Sequence, residues 1–143
     1  MKKWTLVLVF ALALGAVLYG KSVSVNTHNA QMALARETRK AMDAMMGDFR
    51  EARSASIKGV PADGRWHHEL AFDKGAQGTV HYGLTPAGHE LRRIAPGSDR
   101  TVAVHITGLN IRRQPGVLDV LEVQLQAQNQ GTLISNFKIR TRD

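Results

Sequence analysis

No cysteine occurs among the 143 residues. That single absence excludes disulfides, cysteine metal sites, thiol chemistry and a lipid-modified cysteine anchor, so the fold must be stable without staples. The motifs of several enzyme classes are missing too. Glycine is frequent at 13 residues, but it falls between strand-like segments, and neither G-x-x-x-x-G-K-[ST] nor G-x-G-x-x-G is present to cradle a phosphate. Ser54, Ser56 and Ser135 lie outside any G-x-S-x-G elbow. The pair His67-His68 followed by Glu69 has the wrong spacing for H-E-x-x-H, and adjacent strand histidines point to opposite faces. His81, His89 and His105 come from other segments and converge only if the register brings them together. Asp63, Asp73, Asp99 and Asp119 fall at turns or strand ends, where aspartate bonds its own backbone. We therefore expect no enzyme, no cofactor and no metal.

Acidic residues are also the minority, 12 against 19 basic, for a net charge of +7. Such a balance suits an acidic protein partner, an anionic lipid surface or nucleic acid. The basic residues are dispersed rather than clustered, which makes nucleic acid the weaker expectation. Two basic pairs stand out, Arg92-Arg93 and Arg112-Arg113, and they are the candidate docking surface for an acidic partner. Trp66 and Tyr82 sit on apolar alternating faces and are expected in the core rather than as stacking platforms.

What is present begins with residues 4–20, an uncharged, largely apolar run between Lys3 and Lys21. It has the minimum length of a bilayer-spanning helix and no polar stripe. Lys2 and Lys3 ahead of it favour a cytoplasmic N-terminus, with residues 21–143 across the membrane. A cleaved signal peptide is the rival reading; against it, Leu18 stands where a small residue is needed.

Residues 21–29 read as a neck or as more helix. From Ala30 the apolar and small positions Leu34, Thr38, Ala41, Met45, Phe49 and Ala52 recur at steps of three and four, the spacing of one amphipathic helix ending by Ser56. Met42 and Met46 widen that stripe, for core packing or for contact with another helix. Residues 57–64 are a loop. Beyond them, apolar and polar residues alternate through segments starting near Trp66, Val80, His89, Val102, Leu121 and Thr132, the fourth continuing through Leu109 and Ile111 after Gly108, joined by Pro86, Pro96-Gly97 and Pro115-Gly116 turns. Short turns predict an antiparallel meander. The expected fold class is α+β: a long N-terminal helix whose first half (1–20) spans a membrane and whose second half (21–56) packs on a small antiparallel sheet (57–143).

An apolar helix running into an amphipathic one ahead of a small sheet resembles the type IV pilin-like proteins. The stretch from Gly78 to Pro96, then VAVHITGLNIRR, VLEVQLQAQNQG and FKIRTRD, looks most like minor pseudopilins of type II secretion systems. Tyr82, Leu84, Leu91 and Arg93 fall on the hairpin pattern, and Arg140 and Arg142 on the tail. The N-terminus departs from that family. Trp4 to Leu8 can be laid on its F-T-L-x-E, but Lys3 stands where the cleavage glycine belongs and Leu8 where the buried glutamate belongs.

The resemblance implies an inner-membrane, single-pass subunit with a periplasmic domain, acting in protein transport. Its partners would be other pilin-like subunits, membrane lipid and an inner-membrane assembly platform. The assembly helix would use Leu8, Ala11 and Gly15 in its first half and Met42, Met45, Met46 and Phe49 in its second. From a different class, the alternative is an anchored or secreted periplasmic ligand-binding module.

Overall fold

The computed structural model describes residues 2–142, and their side chains from Asn26 onward. One α-helix, α1 (Lys2–Phe49), precedes seven strands: β1 (Leu70–Asp73), β2 (Thr79–Leu84), β3 (Glu90–Ala95), β4 (Ser98–Val104), β5 (Ile106–Gln114), β6 (Val117–Gln128) and β7 (Thr132–Arg140). Each strand pairs antiparallel with its neighbours in sequence, in two sheets ordered β1-β2-β3-β4 and β5-β6-β7.

The expected fold class is corrected here. The body is mostly β, two sheets rather than one, and not a long membrane-rooted helix on a small sheet. Among the described residues no helix is long and apolar enough to cross a membrane. The transmembrane assignment and the single-pass inner-membrane placement with a periplasmic domain are corrected with it. The apolar run that carried them, with Leu8, Ala11 and Gly15, lies outside the described side chains.

The division into two sheets has a local cause. His105 adopts φ 60°, in the left-handed region, which ends β4 and starts β5 in a new direction. Strict alternation through Val102, Val104 and Ile106 predicted all three on one face. Instead Ala103 is buried at the end of β4, Val104 is exposed, and Ile106 is buried at the start of β5. The peptide at the break is held by both sheets: Ile106 N–H donates to His89 O (3.1 Å), and His105 O accepts from Gln128 N–H (2.9 Å).

Elsewhere the hydrophobic pattern and the structure agree. Leu34, Thr38, Ala41, Met45, Phe49 and Ala52 are all buried, so the helical stripe is the seat of α1 on the sheets. Leu121, Val123, Leu125 and Ala127 of β6 are buried, with Glu122, Gln124 and Gln126 on the other face. Phe49 meets Phe72 at a centroid distance of 4.5 Å and Tyr82 at 6.3 Å, a cluster of the kind that contributes beyond the area it buries.

Segment 57–67 covers two sheet edges. Lys58 pairs with Ala71 beside β1, and His67 pairs with Ile111 beside β5, so backbone groups that would otherwise template aggregation are satisfied. Only Leu70–Asp73 of the strand expected from Trp66 is regular. Trp66 stays 40% exposed under the Arg112 guanidinium, 4.4 Å from its ring, and is not the core residue expected.

A β-branched residue tolerates the left-handed region poorly. His105→Val is expected to lower unfolding stability by about 1–2 kcal/mol, read as a shift in urea midpoint at unchanged slope. An unchanged midpoint would show that the break does not depend on the conformation of residue 105.

Candidate functional site

The exposed face of α1 and the contacts that hold its other face down form the candidate site. Asp48 lies beside Phe49 on the buried side of the helix, 8% exposed. Its Oδ2 accepts from the Tyr82 hydroxyl (2.7 Å) and from Arg93 Nε, and its Oδ1 accepts from Lys74 Nζ (2.9 Å) and Arg93 Nη2 (3.2 Å). Burial opposes ionisation of this carboxyl, but the bonds from Arg93, Tyr82 and Lys74 outweigh it and hold the carboxyl at about 2. The same burial, with Asp48 opposite, pushes the Tyr82 phenol up. One carboxylate thus ties the last turn of α1 to β2, β3 and the β1–β2 connection.

A second tie lies a few turns earlier. Glu37 Oε2 accepts from Val104 N–H at the edge of β4 (3.0 Å), while Oε1 takes Lys40 Nζ (2.6 Å). Partial burial works against the Glu37 charge, and these two donors still keep its carboxyl below its ordinary value.

With one face fixed, the opposite face is open. From Asn26 to Asn29, and at Gln31, exposure runs all round the helix; on the face opposite the sheets Met32, Ala33 and Arg36 are exposed, with Met32 52% exposed beside a concavity it shares with Leu133. Further along, Arg39, Asp43, Gly47 and Arg50 continue that face, one helical side by the period of 3.6. A Cβ added at Gly47 would touch nothing within 4 Å, so this glycine does not serve packing inside the domain.

The predicted assembly residues divide between these faces. Met45 and Phe49 are fully buried against the sheets; Met42 and Met46 are partly buried at the margin of the core. Core packing therefore accounts for the first two, and the exposed Met32 is the helix methionine available to a neighbour.

The two basic pairs lie in different sheets, on β3 and β5, and are not brought into one patch. Arg93 is buried on Asp48, whereas Arg92 is bound to Asp99 (2.7 Å). Arg112 is bound to Glu122 (2.6 Å) and lies over the Trp66 ring. Arg113 donates to Val60 O (2.8 Å), Ser54 Oγ (3.1 Å), Leu118 O (3.0 Å), Ser54 O (3.2 Å) and Ile57 O (3.4 Å). Two guanidinium groups that the pairs did not single out, on Arg53 and Arg142, have no side-chain partner among the described residues. Among those residues no group of three or more histidine, aspartate or glutamate side chains is placed to hold a metal. His67 instead bonds Asp63 (3.0 Å), and His68 bonds Leu109 O (3.1 Å).

Asp48 itself went unmarked in the sequence. The available signal was an acid immediately before Phe49, on the apolar side of an amphipathic helix, where charge is rare unless paired.

Compared with known proteins, the chain matches no family model and no curated sequence. The description as a membrane-spanning pseudopilin of a type II secretion system is corrected accordingly: no family match supports it, and among the described residues no helix is long and apolar enough to cross a membrane.

The folded value of Asp48 lies below its ordinary 3.8. Its contribution is therefore present above that ordinary value and is lost as pH falls through the folded one, a loss of about 2 kcal/mol between about pH 5 and pH 2. Asp48→Asn should cost about 3 kcal/mol at neutral pH, because Arg93 and Lys74 lose their counter-charge. It should also flatten the acid limb relative to the parent chain. Urea titrations at both pH values check this; parallel acid limbs in the two proteins would remove Asp48 from the account.

Proposed function

We propose that the chain is a non-enzymatic structural subunit of a filament-like assembly, held to its neighbours through the exposed face of α1. The observation that carries this reading is the asymmetry of the helix. Among the described side chains Leu34 is the first buried one, yet α1 already runs through Asn26–Ala33, where almost all are exposed. An isolated helical segment gains little stability from propensity alone and needs a packed face. Met32, Ala33 and Gly47 supply apolar or small surface on the open side, which suits a neighbouring helix.

Asp48 and Glu37 fit this role as well. A helix that bears load from its neighbours must be held rigidly to its own domain, and both carboxylates do so with charge-assisted bonds.

Because the chain has no cysteine, an introduced thiol reports one position only. Met32→Cys should form disulfide-linked dimers on mild oxidation of the full chain, rising with protein concentration. Ala87→Cys, exposed in the β2–β3 turn, should remain monomeric. Equal cross-linking at both positions, or none at position 32 at any concentration, would overturn the assembly reading.

A further inference from the structure

Beyond Phe49 the chain passes beneath the sheets and meets its own final strand. Arg142 N–H donates to Ala52 O (2.9 Å), and Arg53 and Arg142 face each other in a parallel bridge. Both side chains are exposed. They flank a concavity of about 770 Å³ whose wall includes Ser54, Ala55, Val117 and Leu118. Holding two like charges side by side is unfavourable unless something negative lies between or over them. Among the described residues neither guanidinium has a side-chain acceptor, unlike Arg92, Arg93, Arg112 and Arg140; Arg36, Arg50, Arg65 and Arg100 lack one too, but none of these is bridged to another of them as Arg53 is to Arg142.

The wall of the concavity is rigid and its own polar groups are occupied. Arg113 fastens Ser54 to Leu118, and Leu118 O also accepts from Ser54 Oγ (3.0 Å). The acid in the wall, Asp119, is paired with Arg140 (3.1 Å), and its carbonyl takes Thr141 N–H (2.8 Å) and Thr141 Oγ1 (3.1 Å). On its other side the pair borders Glu51 and Asp73 in a second concavity, but Glu51 is paired with Lys74 (3.2 Å) and Asp73 accepts from Gly75 N–H (3.0 Å). Toward Leu118, the groups without a partner among the described residues are therefore the two guanidinium groups and one large apolar side chain, Leu118, which is 59% exposed.

We infer that this concavity is a docking site for an acidic segment of a different partner subunit, one that presents a carboxylate next to an aliphatic side chain. The two guanidinium forks receive the carboxylate, a geometry that ammonium groups reproduce poorly. Leu118, with Ala55 and Val117, covers the aliphatic neighbour. A phosphodiester strand would satisfy the arginines but leave Leu118 exposed, and a second copy would bring its own net charge of +7. The inference rests on the assembly reading for the source of the segment and adds the chemistry of the partner.

The test is fluorescence anisotropy on the full chain with a labelled peptide of alternating glutamate and leucine. Arg53→Gln and Arg142→Gln should each weaken binding about tenfold, and Leu118→Asn about fivefold. Arg92→Gln, whose guanidinium is already paired, should bind as the parent does. Urea midpoints confirm that the variants remain folded. Unchanged affinity in both arginine variants would overturn the site, and so would preference for oligothymidylate over the peptide. Peptide binding is read without assembly, and Met32→Cys cross-linking is read without peptide. Failure of the concavity is therefore distinguishable from failure of the assembly reading.

Discussion

A carboxylate buried at the foot of a helix is held in place by its partners or not at all. Asp48 meets that constraint with Arg93, Lys74 and Tyr82, and much of the structure depends on the arrangement. Removing a charge from water costs several kcal/mol, so a helix seated slightly differently would leave the carboxylate, the guanidinium and the ammonium all unsatisfied. The apolar stripe of α1 supplies attraction without direction. The buried ion cluster supplies direction, because its bonds are short and converge from two strands and the β1–β2 connection.

Seating one face so firmly is what makes the other face informative. Met45 and Phe49 are consumed by the core, while Met32, Gly47 and the arginines between them stay outside it. The sheets are closed off in the same economical way. Segment 57–67 pairs with β1 and β5, and Glu37 receives an N–H at the β4 edge. With these edges covered, one helix face and the concavity beside Arg53 and Arg142 remain among the open surfaces. A subunit that must meet specific neighbours, and no others, benefits from that restriction.

The arginines show how position decides the meaning of charge. As letters, Arg92, Arg93, Arg112 and Arg113 form two equivalent pairs. In the fold they do four different things: surface ion pairing, a buried clamp, stacking on Trp66, and bracing of the backbone at Ser54, Ile57, Val60 and Leu118. Arg53 and Arg142, far apart in sequence, are the ones that the fold brings together unpaired.

The sequence by itself determined the local elements. Period three-to-four apolar spacing marks the seat of α1, alternation marks β2, β3, β5 and β6, and Pro-Gly pairs mark the turns; each is a consequence of backbone geometry over a few residues. The Glu37–Lys40 pair, three residues apart on one helix, is local in the same way. What only the tertiary structure decided is where those elements part or meet. The left-handed conformation of His105, which splits one expected meander into two sheets, is set by bonds to His89 and Gln128, and no spacing in the sequence encodes it. Likewise Asp48 finds Arg93 across 45 positions and Arg53 finds Arg142 across the whole sheet region. Such contacts are products of chain folding, and the energy that selects them comes from many residues acting at once rather than from any one stretch.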